Sequence, residues 1–301
     1  MVCMVKKVFL SMGLFCGMAV SSFATDETTI TTALENIEAE KPKQARKVLV
    51  FSLTQGYRHK SIAIGKVMMR VMGEQTGAFE AVISDDLANF EPGKIDEFDA
   101  ICFLNTTKEV FSPKKKELEK MSSSEKKEAE ALEKRLKNSL MSYIKSGKGF
   151  IGIHAATDTF YDWPEYGEMI GGYFDGHPWR AKSDVSIRVE QGEEEHACCA
   201  HFDGGNLNFK EEIYQFKEPY DSKKLHILLR LDPEKMDLSK GKRKDEDYGV
   251  SWIKPHGEGR VFYSSLGHNN HIYDNPKVLQ HFLKGMQWAI GDLDVVVKLG
   301  N

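Results

Sequence analysis

Lys47-Val48-Leu49-Val50-Phe51-Ser52 is a short apolar run, and it empties into the polar turn Thr54-Gln55-Gly56-Tyr57-Arg58-His59. Apolar residues without alternation over that length predict a strand buried on both faces, as in a parallel sheet. A helical stretch follows from Ser61 to about Thr76. Further strands are predicted at residues 79–84, 98–104 and 149–153, the last ending on His154. Strands alternating with helical patterns argue an α/β domain with a mostly parallel sheet covered on both faces.

Beyond this half the pattern loosens. Residues 164–171 suit a short helix, and 184–190, 211–216 and 225–231 look like strands. Trp252-Ile253 and residues 260–266 form a hairpin-like pair, and 276–290 an amphipathic helix. Residues 112–147 are dominated by Lys and Glu three and four apart, predicting a solvated helical hairpin inserted in the domain. Residues 25–46 are polar and read as a linker, 47–291 as the domain, and 292–301 as a C-terminal tail.

The first 24 residues read as a secretory signal. Lys6-Lys7 precede an apolar run from Val8 to Val20, and Ser22-Phe23-Ala24 offers small residues for cleavage after Ala24. Lipidation at Cys16 is the rival, disfavoured by the bulky Phe15, and a buried N-terminal helix is the bland alternative. The run is short for a bilayer span. The expected mature protein is therefore exported, periplasmic or secreted, with no transmembrane anchor.

With 301 residues, 41% hydrophobic and 29% charged, the chain can bury a sizeable core. The net charge of −4 becomes −6 once Lys6 and Lys7 leave with the signal, which gives no electrostatic footprint for nucleic acid. Cys102 lies in an apolar strand, and Cys198-Cys199 have no second pair to complete a metal site, so no disulfide framework is expected. Homo-oligomerisation is left open.

In open α/β sheets, ligands bind outside the carboxyl ends of the strands. Three such positions here carry a histidine in a polar turn: His59, His154 in His154-Ala155-Ala156-Thr157-Asp158, and His268 in Gly267-His268-Asn269-Asn270-His271. His177 lies in a fourth polar turn. One histidine alone is more often structural, but three at strand ends suggest a shared site. A divalent metal such as zinc, held by His59, His177 and His268, is one chemistry. The other is metal-free, with a histidine and Asp158 or Asp175 moving a proton at a sugar hydroxyl or beside a carbonyl. Tyr57, Trp163 and Trp179, among other rings in these loops, offer apolar platforms to a sugar, with Arg58, Asp175 and Asn269 for its hydroxyls; core packing is the alternative for each ring. His154 occupies the strand-to-helix elbow where many α/β enzymes carry a nucleophile, but no partner for covalent catalysis is identifiable.

At these motifs the chain resembles the ThuA-like (trehalose utilisation) family of the class I glutamine amidotransferase-like superfamily. The resemblance rests on Gly56-Tyr57-Arg58-His59, residues 152–158, residues 171–178, Gly249-Val250-Ser251-Trp252, residues 259–268 and Gly285-Met286-Gln287-Trp288-Ala289, in that order. It implies a flavodoxin-like three-layer α/β sandwich without the amidotransferase cysteine, since His154 stands at the corresponding elbow. It also implies work on trehalose-like disaccharides through 3-keto derivatives. On that basis an enzyme with His154 and Asp158 as acid/base core is expected. A non-catalytic carbohydrate-binding protein leaning on Trp163 and Trp179 is the alternative, and a docking arm at 112–147 a third.

Overall fold

The computed structural model describes residues 26–299, so the expected signal lies outside the described residues. In chain order the strands are β1 (Lys47–Phe51), β2 (Glu80–Ile83), β3 (Ala100–Leu104), β4 (Gly149–Ile153), β5 (Tyr173–Phe174), β6 (Asp184–Val189), β7 (Leu207–Lys210), β8 (Phe216–Lys217), β9 (His226–Leu231), β10 (Gly249–His256) and β11 (Gly259–Ser264). The helices are α1 (26–33), α2 (Ile62–Thr76), α3 (Lys115–Leu118), α4 (Ser123–Lys145), α5 (Pro164–Ile170) and α6 (Pro276–Ile290).

Nine strands share one sheet in the order β2-β1-β3-β4-β11-β10-β9-β6-β7, while β5 and β8 pair separately. The first five are mutually parallel. Each later neighbour pairs antiparallel, so only β10 and β6 oppose the common direction. Sheet order reverses between β1 and β3, which is the flavodoxin-like switch point where a ligand crevice opens.

Side-chain alternation along the strands divides the interior in two. Val48, Val50, Cys102, Leu104, Ile151 and Ile153 face α2 and α6. Leu49, Phe51, Ile101, Phe103 and Phe150 face the aromatic layer and the inner side of α4, where Leu136, Leu140 and Ile144 are buried. The charged 112–147 segment is thus one helical turn followed by a 23-residue helix, whose C-terminal half is the crossover covering the sheet. Ser122 and Glu125 close its N-terminus with a capping box. For α6, Asn275 caps the N-terminus, Pro276 starts the helix and Gly291 ends it in the left-handed conformation.

Two expectations need correction. Residues 25–46 are not a free linker: α1 docks with Ile30 and Leu34 buried, one helical turn apart on the same stripe. The following chain is tied to α6, with Glu38 N–H on Gln280 Oε1 at 2.8 Å and Glu40 N–H on Gln287 Oε1 at 3.0 Å. Residues 211–216 are not one strand, because 211–215 form an irregular connection between β7 and β8. Among the described residues no helix is long and apolar enough to cross a membrane. Cys102, Cys198 and Cys199 are free and buried.

Candidate active site

β1, β4 and β11 end at the same edge of the sheet, with β3 between the first two, and deliver His59, His154 and His268 to one spot. The rings stand nearly perpendicular to one another, with centroids 4.8 Å (His59–His154), 5.1 Å (His59–His268) and 5.3 Å (His154–His268) apart. Glu212, from the irregular connection after β7, completes the group. Its Oε1 lies 3.2 Å from His268 Nδ1 and 3.7 Å from His154 Nε2. One donor atom from each of these four residues falls within 4.8 Å of all the others.

A buried polar frame holds the loops in register. The Asn105 side chain, at the end of β3, donates to Ser61 Oγ (3.2 Å), Gly267 O (3.3 Å) and the Tyr273 hydroxyl (3.1 Å), while its Oδ1 accepts the Ala155 N–H at 3.4 Å. Ser61 Oγ donates to Gly267 O at 2.8 Å. One residue thus links the chain after β1, β3, β4 and β11. Glu211 fixes the last of these loops: its buried carboxylate accepts the N–H groups of Gly267 (3.0 Å), His268 (2.6 Å) and Asn269 (3.1 Å). Burial pushes its carboxyl up to about 7, although those three bonds pull the other way. His154 itself sits at φ +49°, a conformation most side chains avoid, and Asn105, Lys108 and Phe160 nearby also have positive φ. Such clustering marks a site whose geometry is imposed by its surroundings.

Electrostatics favour the neutral form of two of the three imidazoles. Burial, then His268 and His177, pushes His59 down to about 3. Burial, with His59 and His268, also holds His154 well below the usual histidine range. At His268 burial opposes the charge, but the hydrogen bond and charge of Glu212, and then Glu211, outweigh it and raise the pKa. His154 Nδ1 donates to Ser265 O at 2.7 Å, which leaves the Nε2 lone pair facing the cluster. That Nε2 and His59 Nδ1 are buried with no hydrogen-bond partner among the described residues. Three nitrogens and a carboxylate suit zinc or a similar divalent ion, and the Ser265 carbonyl is the outer partner that orients such a ligand.

A second group, Glu193, His196 and His226, has the wrong tautomers for this. His226 Nδ1 accepts the Lys298 N–H (3.0 Å) and His196 Nδ1 the Cys198 N–H (3.2 Å), so in each neutral ring Nε2 carries the hydrogen. Lys298 Nζ also pairs with Glu193 at 2.8 Å. This group clasps the C-terminal segment instead.

Of the residues expected from sequence, His59, His154 and His268 converge. His177 is 43% exposed at its side chain, reaches Glu212 from the other oxygen at 3.7 Å, and stays outside the compact set. His154, expected as the acid/base residue, lies within this compact set. Asp158 does not pair with His154; Lys108 Nζ (2.9 Å) and the Tyr161 hydroxyl (2.5 Å) hold it instead. Tyr57, 61% exposed, sets its ring edge-on to His59 at 4.8 Å and forms part of the rim. Arg58 reaches back to Ser52 O at 3.3 Å.

The tryptophans are core. Trp179 is 1% exposed against Tyr248, and Trp163 is 9% exposed between Phe160 and Tyr166. Asp175 pairs with Lys242 at 3.1 Å. The Asn269 amide is spent on the carbonyls of Ala181 (2.8 Å) and Lys210 (2.9 Å). Glu211 and Glu212 escaped sequence reasoning. The available signal was two adjacent acids opening an otherwise apolar stretch, Glu211-Glu212-Ile213-Tyr214.

Comparison with known proteins agrees with this architecture. The profile of the ThuA family, described as trehalose utilisation, matches residues 47–289. A ThuA-like protein of Bacteroides uniformis superposes with a TM-score of 0.58 at 20% identity, covering 82% of this chain and 94% of that one. One from Parabacteroides merdae gives 0.57 at 14% identity, covering 82% and 91%. No curated protein matches the sequence.

Proposed function

The chain belongs to the ThuA, or trehalose utilisation, family, and from that premise we propose an exported enzyme of carbohydrate metabolism acting on a glycoside or its 3-keto derivative. The observation that carries this is the convergence of His59, His154, His268 and Glu212, with His59 Nδ1 and His154 Nε2 buried and without a hydrogen-bond partner among the described residues. These four residues would hold a divalent metal, which supplies Lewis-acid polarisation of a carbonyl or a water of lowered pKa. The chain's own groups do the rest. Ser265 fixes the His154 tautomer. Asp158, gripped by Lys108 and Tyr161, presents a charged acceptor for a sugar hydroxyl. Tyr57 lends an exposed ring at the rim. Export, to a periplasm or the medium, fits the first 24 residues and processing of glycosides outside the cytoplasm. Burial of Trp163 and Trp179 removes the platforms on which a purely sugar-binding protein was expected to rely.

The test is elemental analysis of the purified protein together with turnover of 3-keto-trehalose. The expected result is a bound divalent ion and a rate that falls at least about 100-fold in His154→Ala and Glu212→Ala, with the fold retained by circular dichroism. Unchanged turnover in both variants sinks the assignment.

A further inference from the structure

Ten tyrosines occur in the chain. Tyr57 is exposed. Among the others, nearly every hydroxyl bonds to a protein group: Tyr166 donates to Ala156 O at 2.8 Å, Tyr263 to His154 O at 2.8 Å and Tyr273 to Gly267 O at 3.0 Å. Tyr214 differs. It is 3% exposed, yet its hydroxyl has no hydrogen-bond partner among the described residues. Nor is that oxygen among the unpartnered atoms sealed from solvent, so the little exposure the residue keeps includes it. An unpaired polar group inside a fold costs stability, and a position that retains one invites a ligand.

Its placement says which ligand. The ring stacks on His154 with centroids 4.2 Å apart and a 34° tilt, and Phe174 packs on it at 4.3 Å. Tyr214 lies two residues from Glu212, and its backbone N–H is pinned to Ser265 Oγ at 3.2 Å. Ser265 is the same residue that orients His154. Burial, then the charge of Glu212, and behind it Tyr263, Asp158 and Tyr161, hold the phenol well above its ordinary pKa. A phenol, with an ordinary pKa of about 10, carries its proton at neutral pH.

On the function proposed above, we propose that Tyr214 is a catalytic residue: its hydroxyl donates a hydrogen bond to the substrate oxygen that gains negative charge, the carbonyl oxygen of a 3-keto sugar. No proton leaves the phenol. The bond strengthens as charge develops on the oxygen, which is how fixed donors lower a barrier.

Tyr214→Phe tests this, because it keeps the ring on His154 and Phe174 and removes only the hydroxyl. The expected result with 3-keto-trehalose is a kcat reduced about 100- to 1,000-fold, with KM and metal content close to the parent's. The melting temperature should hold or rise, since no protein hydrogen bond is lost, whereas Tyr166→Phe should lower it. Parent-like turnover by Tyr214→Phe overturns the role of Tyr214 and leaves the proposed function standing. A fall in melting temperature matching that of Tyr166→Phe shows the hydroxyl to be structural, and overturns the role whatever the substrate. If the parent neither binds nor turns over keto-glycosides, the proposed function fails and this role with it.

Discussion

Gly267→Ala should be unusually costly for a substitution that adds one methyl group. Gly267 sits at φ +131° between β11 and His268. A Cβ there would lie 2.6 Å from the Tyr273 hydroxyl and 3.0 Å from Ile153 Cγ2. The backbone conformation alone costs an L residue about 1–3 kcal/mol. Moving the Tyr273 hydroxyl also breaks its 3.1 Å bond from Asn105 and its 3.0 Å bond to Gly267 O, adding about 1 kcal/mol or more. A total of about 2–4 kcal/mol follows. Gly77→Ala is the matched control: its φ is +66° and nothing lies within 4 Å of the added Cβ. That variant should lose only about 1 kcal/mol. Urea denaturation followed by circular dichroism measures both. Equal losses, or a loss below 1 kcal/mol for Gly267→Ala, would refute the reasoning, since crowding against the Asn105–Tyr273 frame would then contribute nothing. Because His268 follows directly, turnover should fall further than the unfolded fraction explains, as a shift of about 1 Å in a site group costs on the order of 100-fold.

Trp179→Ala should destabilise the fold by about 3–5 kcal/mol while leaving the sugar affinity of the folded fraction unaltered; weakened affinity measured by calorimetry would return Trp179 to the site. Ile30→Ala should cost about 2 kcal/mol in thermal or urea unfolding, because α1 belongs to the core, and no change would mean that the segment does behave as a linker. Burial pushes His281 down to about 3 from an ordinary 6.5, so the unfolded chain takes up the proton first. Its contribution is complete above about pH 6.5 and is lost as pH falls toward 3, by about 1.4 kcal/mol per pH unit. His281→Gln should flatten the acid limb of the stability–pH curve by about one proton, and an identical slope would contradict the burial argument.

The parallel half of the sheet was legible because doubly buried strands leave uninterrupted apolar runs, and α6 because Asn275-Pro276 and Gly291 punctuate both ends. His59, His154 and His268 were found for a related reason, since each lies in the polar turn that follows such a run. Glu212 was hidden by its context. In Glu211–Phe216 the apolar residues suggest a strand, and an acid in a strand reads as facing water. In the fold that segment is irregular and turns Glu212 inward. Asp158 follows His154 closely enough to suggest a dyad, but proximity in the chain says nothing of Lys108, which reaches it from the loop after β3. Trp163 and Trp179 look the same in sequence whether they line a cleft or fill a core. In residues 25–46 Ile30, Ala33, Leu34 and Ile37 do fall at helical spacing, but the stripe is two turns long within an otherwise polar stretch, so it reads as a linker until the core it packs against is in place.

The four residues of the cluster come from residue 59 near the start of the domain, 154 in its middle, 212 in the antiparallel extension and 268 near its end. No short segment of the chain contains the set, so whatever binds all four recognises the completed fold. An occupant therefore acts as a clamp on the global folding equilibrium. At a free concentration 100-fold above its dissociation constant it adds about 2.7 kcal/mol to stability, and a chelator that strips a metal from the site would register as a lower melting temperature of the whole domain.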